Sequence, residues 1–320
     1  MLWRRLMLAV SDIEQVPIHV LDRLGRLGRG LDAHIELFHC LYEPESVQGS
    51  NEERAAHLIA ARVEERRRRL ERLADVLRDQ NLHVGASVRW DFPTYEGIIR
   101  HALRYRPDLL IVPAIRLDGT LRTLAYRESR LIEECPCPVL FLKTREIYSR
   151  GCIVAALAQH DGEAADLDER ILGAARTVAH ALAKSPLCVF SVVSPGRRAW
   201  SGAAAAGYDV RNGNGPQQPA VSLGEVQARM RRLALRHEIP PGEVRVEYGE
   251  PAVSLALYAR QSRTQMVVLG VRSALHPDDG SERLAERVLD SIECDLLVVK
   301  PSDAPVTVDT VSAPAVPHPA

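Results

Sequence analysis

The sequence predicts two tandem α/β domains of the Rossmann-like type, each a five-stranded parallel sheet with helices on both faces. Three observations lead to this fold class. The 320 residues suffice for two domains of about 150 residues each. Short apolar runs alternate with segments of helical length, and the second half repeats the order of the first. Alternating strands and helices are typical of parallel sheets, because each connection must cross a face of the sheet.

Five strands are predicted in each half from the short apolar runs. In the first half they cover residues 6–10, 33–39, 83–90, 109–112 and 139–142. In the second half they cover residues 153–156, 187–193, 243–248, 266–269 and 296–299. Amphipathic segments separate the runs, and the clearest extends over residues 51–80, where Val63, Leu70, Leu73 and Leu77 recur at helical spacing.

The repeat keeps its length through the last strands of each half. Asp108-Leu-Leu-Ile-Val112 and Gln265-Met-Val-Val-Leu269 are separated by the same number of residues as Cys137-Pro-Val-Leu-Phe-Leu-Lys143 and Cys294-Asp-Leu-Leu-Val-Val-Lys300. Pro93 and Pro251 also follow the third strand of each half, where proline in a first turn favours a helix start. A duplication explains these correspondences.

The repeat sets the predicted boundaries. The first domain covers residues 1–148 and the second covers 149–302, while 303–320, rich in Pro, Ala, Val and Thr without periodicity, are predicted to be a disordered tail. Residues 194–220 have no counterpart in the first half and predict a mobile loop after the second strand. Such a loop lies at the carboxyl edge of the sheet, where ligands bind, so it is either a lid or a tolerated insertion.

Charge and hydropathy argue against nucleic acid and membrane partners. The formal net charge is -1, which provides no overall field to attract a polyanion. The apolar run near the start is too short for a signal peptide, and no later stretch reaches the roughly 18 apolar residues of a membrane span. We therefore expect a cytoplasmic protein.

The cysteines predict neither a disulfide framework nor a metal site. The six are Cys40, Cys135, Cys137, Cys152, Cys188 and Cys294. They are scattered through a long chain and form no C-x2-C pair. Cys135-Pro-Cys137 is the one close pair, and thiols beside a strand explain it better than a redox or metal role does.

Enzyme motifs are weak throughout. The glycines between Gly25 and Gly30 precede a strand, so they predict a helix-ending turn and not a phosphate loop. Arg66-Arg-Arg-Arg69 lies among glutamates and predicts a solvated helix face. His39-Cys40 and His160-Asp161 fall near carboxyl edges, but neighbours on a strand point to opposite faces. No nucleophile elbow, Walker loop or His-Glu-x-x-His helix occurs in the sequence, so we expect that the protein is not an enzyme.

The ends of both halves carry family motifs. Val267-Val-Leu-Gly270, Ala285-Glu-Arg-Val288 and Cys294-Asp-Leu-Leu-Val-Val-Lys-Pro301 resemble the end of a universal stress protein domain, and Glu133-Glu-Cys-Pro-Cys-Pro-Val-Leu-Phe-Leu-Lys143 resembles the same strand. The chain is thus similar to tandem members of that family over residues 4–302. The resemblance implies the HUP-type Rossmann-like fold, a role in stress response, and two domains paired as an internal pseudo-dimer through their final strands.

The family's nucleotide-binding members carry G-x2-G-x9-G-[ST] before the last helix, which brings backbone amides close to the phosphates. In the second half Gly270 matches the first glycine, Ser273 replaces the second, and Gly280-Ser281 stands two residues early. Asp278, Asp279 and Glu282 would repel a triphosphate without a bound metal.

The first half departs further from the motif. Pro113 occupies the position of the first glycine, and the residues after it lack the spacing. The family's nucleotide-contacting aspartate, at the end of the first strand, aligns with Ser11 beside Asp12 and, in the second half, with Leu157. The resemblance therefore implies the class without family-type ATP binding.

We expect a non-catalytic stress-response protein that binds a ligand or protein partners and needs no cofactor or metal. The predicted ligand-binding residues in the second domain are Gly270, Arg272, Ser273, Gly280 and Ser281. The alternative is an ATP-binding stress sensor with slow hydrolysis, in which Arg272 and the Gly280-Ser281 amides hold the nucleotide. A small or apolar ligand in the second domain, and a further homodimer, stay open.

Overall fold

The computed structural model describes residues 3–114, 126–144, 151–158, 165–182, 185–193, 222–271 and 281–301. The chain divides into two compact units, the first with the strands before residue 149 and the second with those after residue 150. The predicted loop over 194–220 and the predicted tail over 303–320 lie outside the described residues.

The first unit is a parallel sheet with alternating helices. Its elements are β1 (Arg5–Ala9), α1 (Ile18–Leu31), β2 (His34–Leu41), α2 (Glu52–Arg78), β3 (Val84–Trp90), α3 (Thr94–Tyr105), β4 (Leu109–Pro113), α4 (Tyr126–Glu134) and β5 (Val139–Leu142). The strand order is β3-β2-β1-β4-β5, and every pairing is parallel. The order reverses between β1 and β4, which is where doubly wound sheets open a ligand crevice.

The second unit repeats this arrangement. Its elements are β6 (Ile153–Ala156), α5 (Ala165–Ala181), β7 (Leu187–Val193), α6 (Leu223–Arg236), β8 (Val244–Tyr248), α7 (Pro251–Gln261), β9 (Met266–Gly270), α8 (Ser281–Ser291) and β10 (Asp295–Val299). The strand order β8-β7-β6-β9-β10 corresponds to β3-β2-β1-β4-β5 of the first unit, and every one of these pairings is again parallel. The predicted fold class, two tandem Rossmann-like domains, is confirmed.

The core of each unit lies on both faces of its central strands. Four of the five residues of β1 and all five of β9 are buried, as expected when helices cover both faces of a parallel sheet. The continuous apolar runs that predicted these strands are therefore core residues. None of the helices in the described ranges combines the length and apolar composition that a bilayer-spanning segment requires.

Helix α2 begins where the sequence predicts it. Asn51 caps the helix by accepting the Arg54 backbone N–H on its side-chain oxygen at 2.9 Å, which satisfies one of the free donors of the first turn. The helix ends at Arg78, two residues before the predicted limit. Its length follows from the amphipathic pattern, since Leu70 and Leu77 are buried.

The glycines between Gly25 and Gly30 lie inside α1, so the prediction of a helix-ending turn is wrong. The helix continues to Leu31, and Asp32 then adopts the left-handed conformation with φ of 49°. A Cβ on Gly28 would lie 2.8 Å from Ile35 Cδ1. This glycine therefore allows α1 to approach β2 closely, a role that cannot be recognised without the tertiary packing.

Candidate functional site

In the first unit, the point of reversal, where a doubly wound sheet is expected to have its ligand crevice, lies between the carboxyl ends of β1 and β4. Ser11 follows β1, and Arg127 stands in the first turn of α4, which follows β4 in the chain. The Arg127 Nη1 donates to Ser11 Oγ at 2.8 Å, and its Nη2 lies 2.8 Å from Glu128 Oε1. The guanidinium thus joins the two sides of the crevice and is already paired with a carboxylate.

His39 and Cys40, at the end of β2, do not form a catalytic pair. His39 is buried, and its Nδ1 lies 2.8 Å from the Val10 carbonyl oxygen. Burial lowers the pKa of His39, and the nearby Arg66 lowers it further. The Cys40 Sγ contacts the Asp91 carbonyl oxygen instead, and burial together with the Asp91 charge raises the Cys40 pKa to about 12. Neither side chain activates the other.

The arginine run on α2 forms ion pairs with the glutamates around it. Arg66 Nη2 lies 2.8 Å from Glu43 Oε1, Arg67 Nε lies 2.8 Å from Glu64 Oε2, and Arg68 Nε lies 3.0 Å from Glu64 Oε1. Arg69 Nη2 lies 2.7 Å from Glu65 Oε1. This agrees with the prediction of a solvated, charge-balanced helix face.

In the second unit the crevice lies between the carboxyl ends of β6 and β9, and Gly270 ends β9. This glycine is buried, and a Cβ on it would lie 2.7 Å from Leu167 Cγ and 2.8 Å from Ile171 Cδ1. Leu167 and Ile171 both belong to α5, so the lack of a side chain at Gly270 lets α5 pack closely on the sheet. Close helix packing is one of the functions of glycine in nucleotide-binding folds.

Of the predicted ligand-binding residues, Gly270 alone is described with its side-chain surroundings. Arg272, Ser273 and Gly280 lie outside the described residues, as does the pair His160-Asp161. Ser281 is the first residue of α8, and only its backbone is described. The prediction that these residues form one ligand site stays a prediction.

The register of the two sheets changes one alignment. The Val10 N–H donates to the Phe38 carbonyl oxygen at 2.8 Å, and the Leu157 N–H donates to the Phe190 carbonyl oxygen at 2.9 Å. Leu157 is therefore the counterpart of Val10, and Ser11 lies one residue beyond this position. Both Val10 and Leu157 are buried and apolar, so neither supplies the family's carboxylate.

A buried carboxyl that the sequence does not reveal stands in the first turn of α5. Asp168 is 2% exposed, and its Oδ1 has no hydrogen-bond partner among the described residues. Burial raises the Asp168 pKa to about 8; Arg229 opposes the shift and Glu169 adds to it. Asp168 is thus largely protonated at neutral pH. Its burial cannot be predicted, because acidic residues in a first helical turn are usually solvated.

The first unit contains a second buried polar cluster that the sequence does not indicate. On β2, Glu36 accepts a short hydrogen bond from Ser87 Oγ, and its Oε1 lies 3.5 Å from His101 Nε2. The His101 ring stacks on Phe38 with centroids 4.0 Å apart. Burial alone would raise the Glu36 pKa, but the nearby His101 ring and the hydrogen bond from Ser87 outweigh it and leave the pKa below its usual 4.5.

Metal binding has no support in the described ranges. Within them, no group of three or more His, Cys, Asp or Glu side chains is arranged to hold a metal ion. Among the described residues at the two points of reversal, Arg127 donates to Ser11 in the first unit, and Gly270 packs against Leu167 and Ile171 in the second.

Two sets of parallel strands with the same order, each reversing between its first and fourth strands, define a tandem Rossmann-like protein. The sequence profile of the universal stress protein family matches residues 2–143 and 164–300. The chain therefore belongs to the universal stress protein family, as a member with two domains. This confirms the family resemblance of its strand motifs.

Solved structures share the fold of the whole chain. A crystal structure from Pseudomonas aeruginosa UCBPP-PA14, assigned to the universal stress proteins, is 22% identical with a TM-score of 0.68, and 94% of each chain is covered. A functionally unknown protein of Pseudomonas aeruginosa PAO1 is 21% identical with a TM-score of 0.67 and the same coverage. A universal stress protein from Archaeoglobus fulgidus DSM 4304 is 15% identical with a TM-score of 0.63, covering 92% of this chain and 98% of the other. No curated protein matches the chain.

Proposed function

We propose that this protein is a non-catalytic, cytoplasmic stress-response protein that binds a small ligand or a protein partner and does not bind ATP in the family manner. One observation carries the proposal: in both units the border of the crevice is engaged in the unit's own contacts. Arg127 is bonded to Ser11 in the first unit, and α5 packs on Gly270 in the second.

The chemistry of phosphate binding supports this proposal. Phosphates at such a crevice are held by backbone N–H groups that glycines leave accessible. Pro113, which ends β4, has no N–H to donate. A phosphate in the first crevice would also have to compete for the Arg127 guanidinium with the adjacent Glu128 carboxylate. The energetic gain of nucleotide binding is therefore small in the first unit.

The candidate nucleophile in the described part of the first unit, Cys40, is not activated, which supports a non-catalytic role. The Cys40 thiol, with a pKa of about 12, stays protonated at neutral pH. His39 has one ring nitrogen engaged with the Val10 carbonyl, so it is held in place by the backbone and does not face Cys40. A nucleophile needs an adjacent base within hydrogen-bond reach.

Calorimetric titration of the full chain with ATP and magnesium tests the proposal. We expect no heat of binding up to millimolar nucleotide. Binding at micromolar ATP would overturn the proposal and favour the ATP sensor with slow hydrolysis. In that case, loss of binding in Arg272→Ala would assign the nucleotide to the second unit, and loss in Arg127→Ala would assign it to the first. Arg245→Ala, which removes an exposed ion pair with Glu247 on β8, is the matched control.

A further inference from the structure

Two cysteines meet at the amino edge of the sheet in the second unit, at the opposite end of the strands from the crevice. Cys152 directly precedes β6, and Cys188 is the second residue of β7. The register pairs Val154 with Cys188. Since side chains two residues apart on a strand share a face, Cys152 and Cys188 project from the same face of the sheet.

Polar groups surround this thiol pair. The two thiols lie close enough to shift each other's ionisation. The Cys188 Sγ donates to Glu243 Oε2 at 3.1 Å, and the Cys152 Sγ lies 3.6 Å from Thr264 Oγ1. Burial, and then the nearby Cys188 and Cys152 sulfurs, raise the pKa of Tyr258 on α7. The Cys188 proton thus has two acceptors beside it, the Cys152 sulfur and the Glu243 carboxylate.

The surroundings give the two thiols different protonation states. The interaction with Cys188 lowers the pKa of Cys152 to about 6, although burial opposes the shift. The interaction with Cys152, burial and the Glu243 carboxylate all raise the pKa of Cys188. Because Cys188 donates to the Glu243 carboxylate, Cys188 keeps its proton, and Cys152 is the thiol of the pair that ionises more readily to the reactive thiolate.

We propose that Cys152 and Cys188 form a peroxide-reactive dithiol site, in which Cys152 is oxidised first and Cys188 then resolves it to a disulfide. Glu243 is the base that the geometry places on the resolving thiol. The site lies apart from the crevice, so it does not depend on whether the crevice binds a nucleotide, a different ligand or a protein.

The proposed reaction has two steps. The Cys152 thiolate attacks one oxygen of hydrogen peroxide, the O–O bond breaks, and Cys152 sulfenic acid forms while the released hydroxide takes a proton from solvent to become water. Cys188 then transfers its proton to Glu243 and attacks the Cys152 sulfur. The S–S bond forms, the S–O bond breaks, and the leaving hydroxide takes the proton from Glu243 as the second water. Two thiols lose two electrons, and one peroxide gains them.

Closing the disulfide requires a small backbone shift. Diagonal neighbours on adjacent strands have Cα atoms about 7–8 Å apart, whereas a disulfide requires about 4.4–6.8 Å. Cys152 stands before the first residue of β6, where its carbonyl accepts the Gln265 N–H at 2.9 Å. The sulfenic acid needs no such backbone shift, so the experiment below measures the sulfenic acid and the disulfide separately.

Cys40 provides an internal control for accessibility. It is the one cysteine of the chain that is partly exposed, and the other five are buried. Its pKa is raised to about 12, mainly by burial of the thiol. If exposure alone governed oxidation, Cys40 would react first. If the interaction between Cys152 and Cys188 governs oxidation, Cys152 reacts first.

The test treats the reduced full chain with hydrogen peroxide, alkylates the remaining thiols after unfolding, and locates the products by mass spectrometry. We expect a Cys152–Cys188 disulfide, reversed by dithiothreitol, to form at least about tenfold faster than Cys40 is lost, because thiolate fraction controls the rate. In Cys188→Ser, a dimedone adduct of the sulfenic acid should accumulate at Cys152. In Cys152→Ser, no adduct should form at Cys188. Cys294→Ser is the matched control and should behave as the unmodified chain.

Two results would overturn the proposal. One is oxidation of Cys40 before Cys152, and the other is a Cys188→Ser chain without an adduct at Cys152. A measurement on the unmodified chain covers the case in which a variant does not fold. The iodoacetamide alkylation rate of Cys152 should rise with pH to half its maximum near pH 6, and a midpoint above pH 8 would also refute the site.

Discussion

Acidic side chains are buried in both units, but their partners differ. In the first unit, Asp91 receives two hydrogen bonds from Arg100, at 2.9 Å from Nε and 2.6 Å from Nη2, and both side chains are buried. Glu96 contacts the same guanidinium at 2.8 Å. In the second unit, the Asp168 Oδ1 has no hydrogen-bond partner among the described residues, and the nearby Arg229 does not outweigh the effect of burial. Because an unpaired buried carboxylate is costly, Asp168 is kept neutral by binding a proton.

Asp168 makes the stability of the protein decrease as pH rises. Its folded pKa of about 8 lies above its unfolded value of 3.8. Its contribution is therefore fully present below pH 3.8 and is lost as pH rises through about 8. Replacing it by the neutral amide in Asp168→Asn should remove this dependence. Relative to the unmodified chain, the free energy of unfolding of the variant should increase by about 1.4 kcal/mol for each pH unit between about pH 5 and pH 7.

Urea unfolding at several pH values checks this prediction. Asp166→Asn alters an exposed acid in the same turn of α5 and is the control, for which we expect no comparable trend. A difference between Asp168→Asn and the unmodified chain that stays constant with pH would show that the buried carboxyl does not carry the proton.

Residue-level predictions from the sequence succeed where the signal is local. Pro113 in place of a glycine is visible in the sequence, because the loss of an amide donor needs no tertiary information. The thiol pair is not visible, since Cys152, Cys188 and Glu243 are distant in the chain and meet only through the register of β6, β7 and the start of β8. Asp168 is hidden for the same reason, because its burial depends on helix packing.

At the level of elements, Gly270 determines how closely α5 approaches the sheet. Gly270→Ala places a Cβ within 2.8 Å of Leu167 and Ile171, and we expect a loss of about 1–3 kcal/mol in the free energy of unfolding. Gly173→Ala is the matched control within α5, because its Cβ would meet nothing within 4 Å. That variant should gain about 0.5–1 kcal/mol, the usual preference for alanine over glycine inside a helix.

Denaturant titration of both variants measures this difference. An equally stable Gly270→Ala chain would contradict the packing role and return Gly270 to consideration as a ligand-binding residue. In a double-mutant cycle, Gly270→Ala should cost less stability in a Leu167→Ala background than in the unmodified chain, since Leu167 Cγ is the nearest atom to the added methyl group.

The strands are predicted well because the central ones are continuous apolar runs covered on both faces. Strands β5, β6 and β7 have the predicted bounds. Strand β2 extends two residues beyond the prediction because Leu41 still pairs with Trp90 of β3. Partner strands determine such ends, so a single segment of sequence cannot predict them.

At the scale of the whole molecule, each unit contains a complete five-strand order with helices that cover its sheet. The predicted first domain, residues 1–148, should therefore fold when produced alone, since about 150 residues can bury a sufficient apolar core. We expect an α/β circular dichroism spectrum and one cooperative urea transition. Residues 1–108 lack β4, which pairs with β1 along its apolar edge, and this shorter fragment should show no cooperative transition. A non-cooperative transition for residues 1–148 would disprove the predicted boundary.

The stacked aromatic pairs show how the two halves have diverged since the duplication. Phe38 stacks on His101 in the first half, and Phe190 stacks on Tyr258 in the second, with centroids 4.5 Å apart in the latter. Two residues before each phenylalanine, the first half has Glu36 and the second has Cys188. The equivalent position beside each ring stack thus holds a carboxyl–imidazole pair in the first half and a cysteine sulfur in the second. Equivalent positions in the two domains thus carry different chemistry, which is acid–base in the first and, by the dithiol proposal, oxidation and reduction of sulfur in the second.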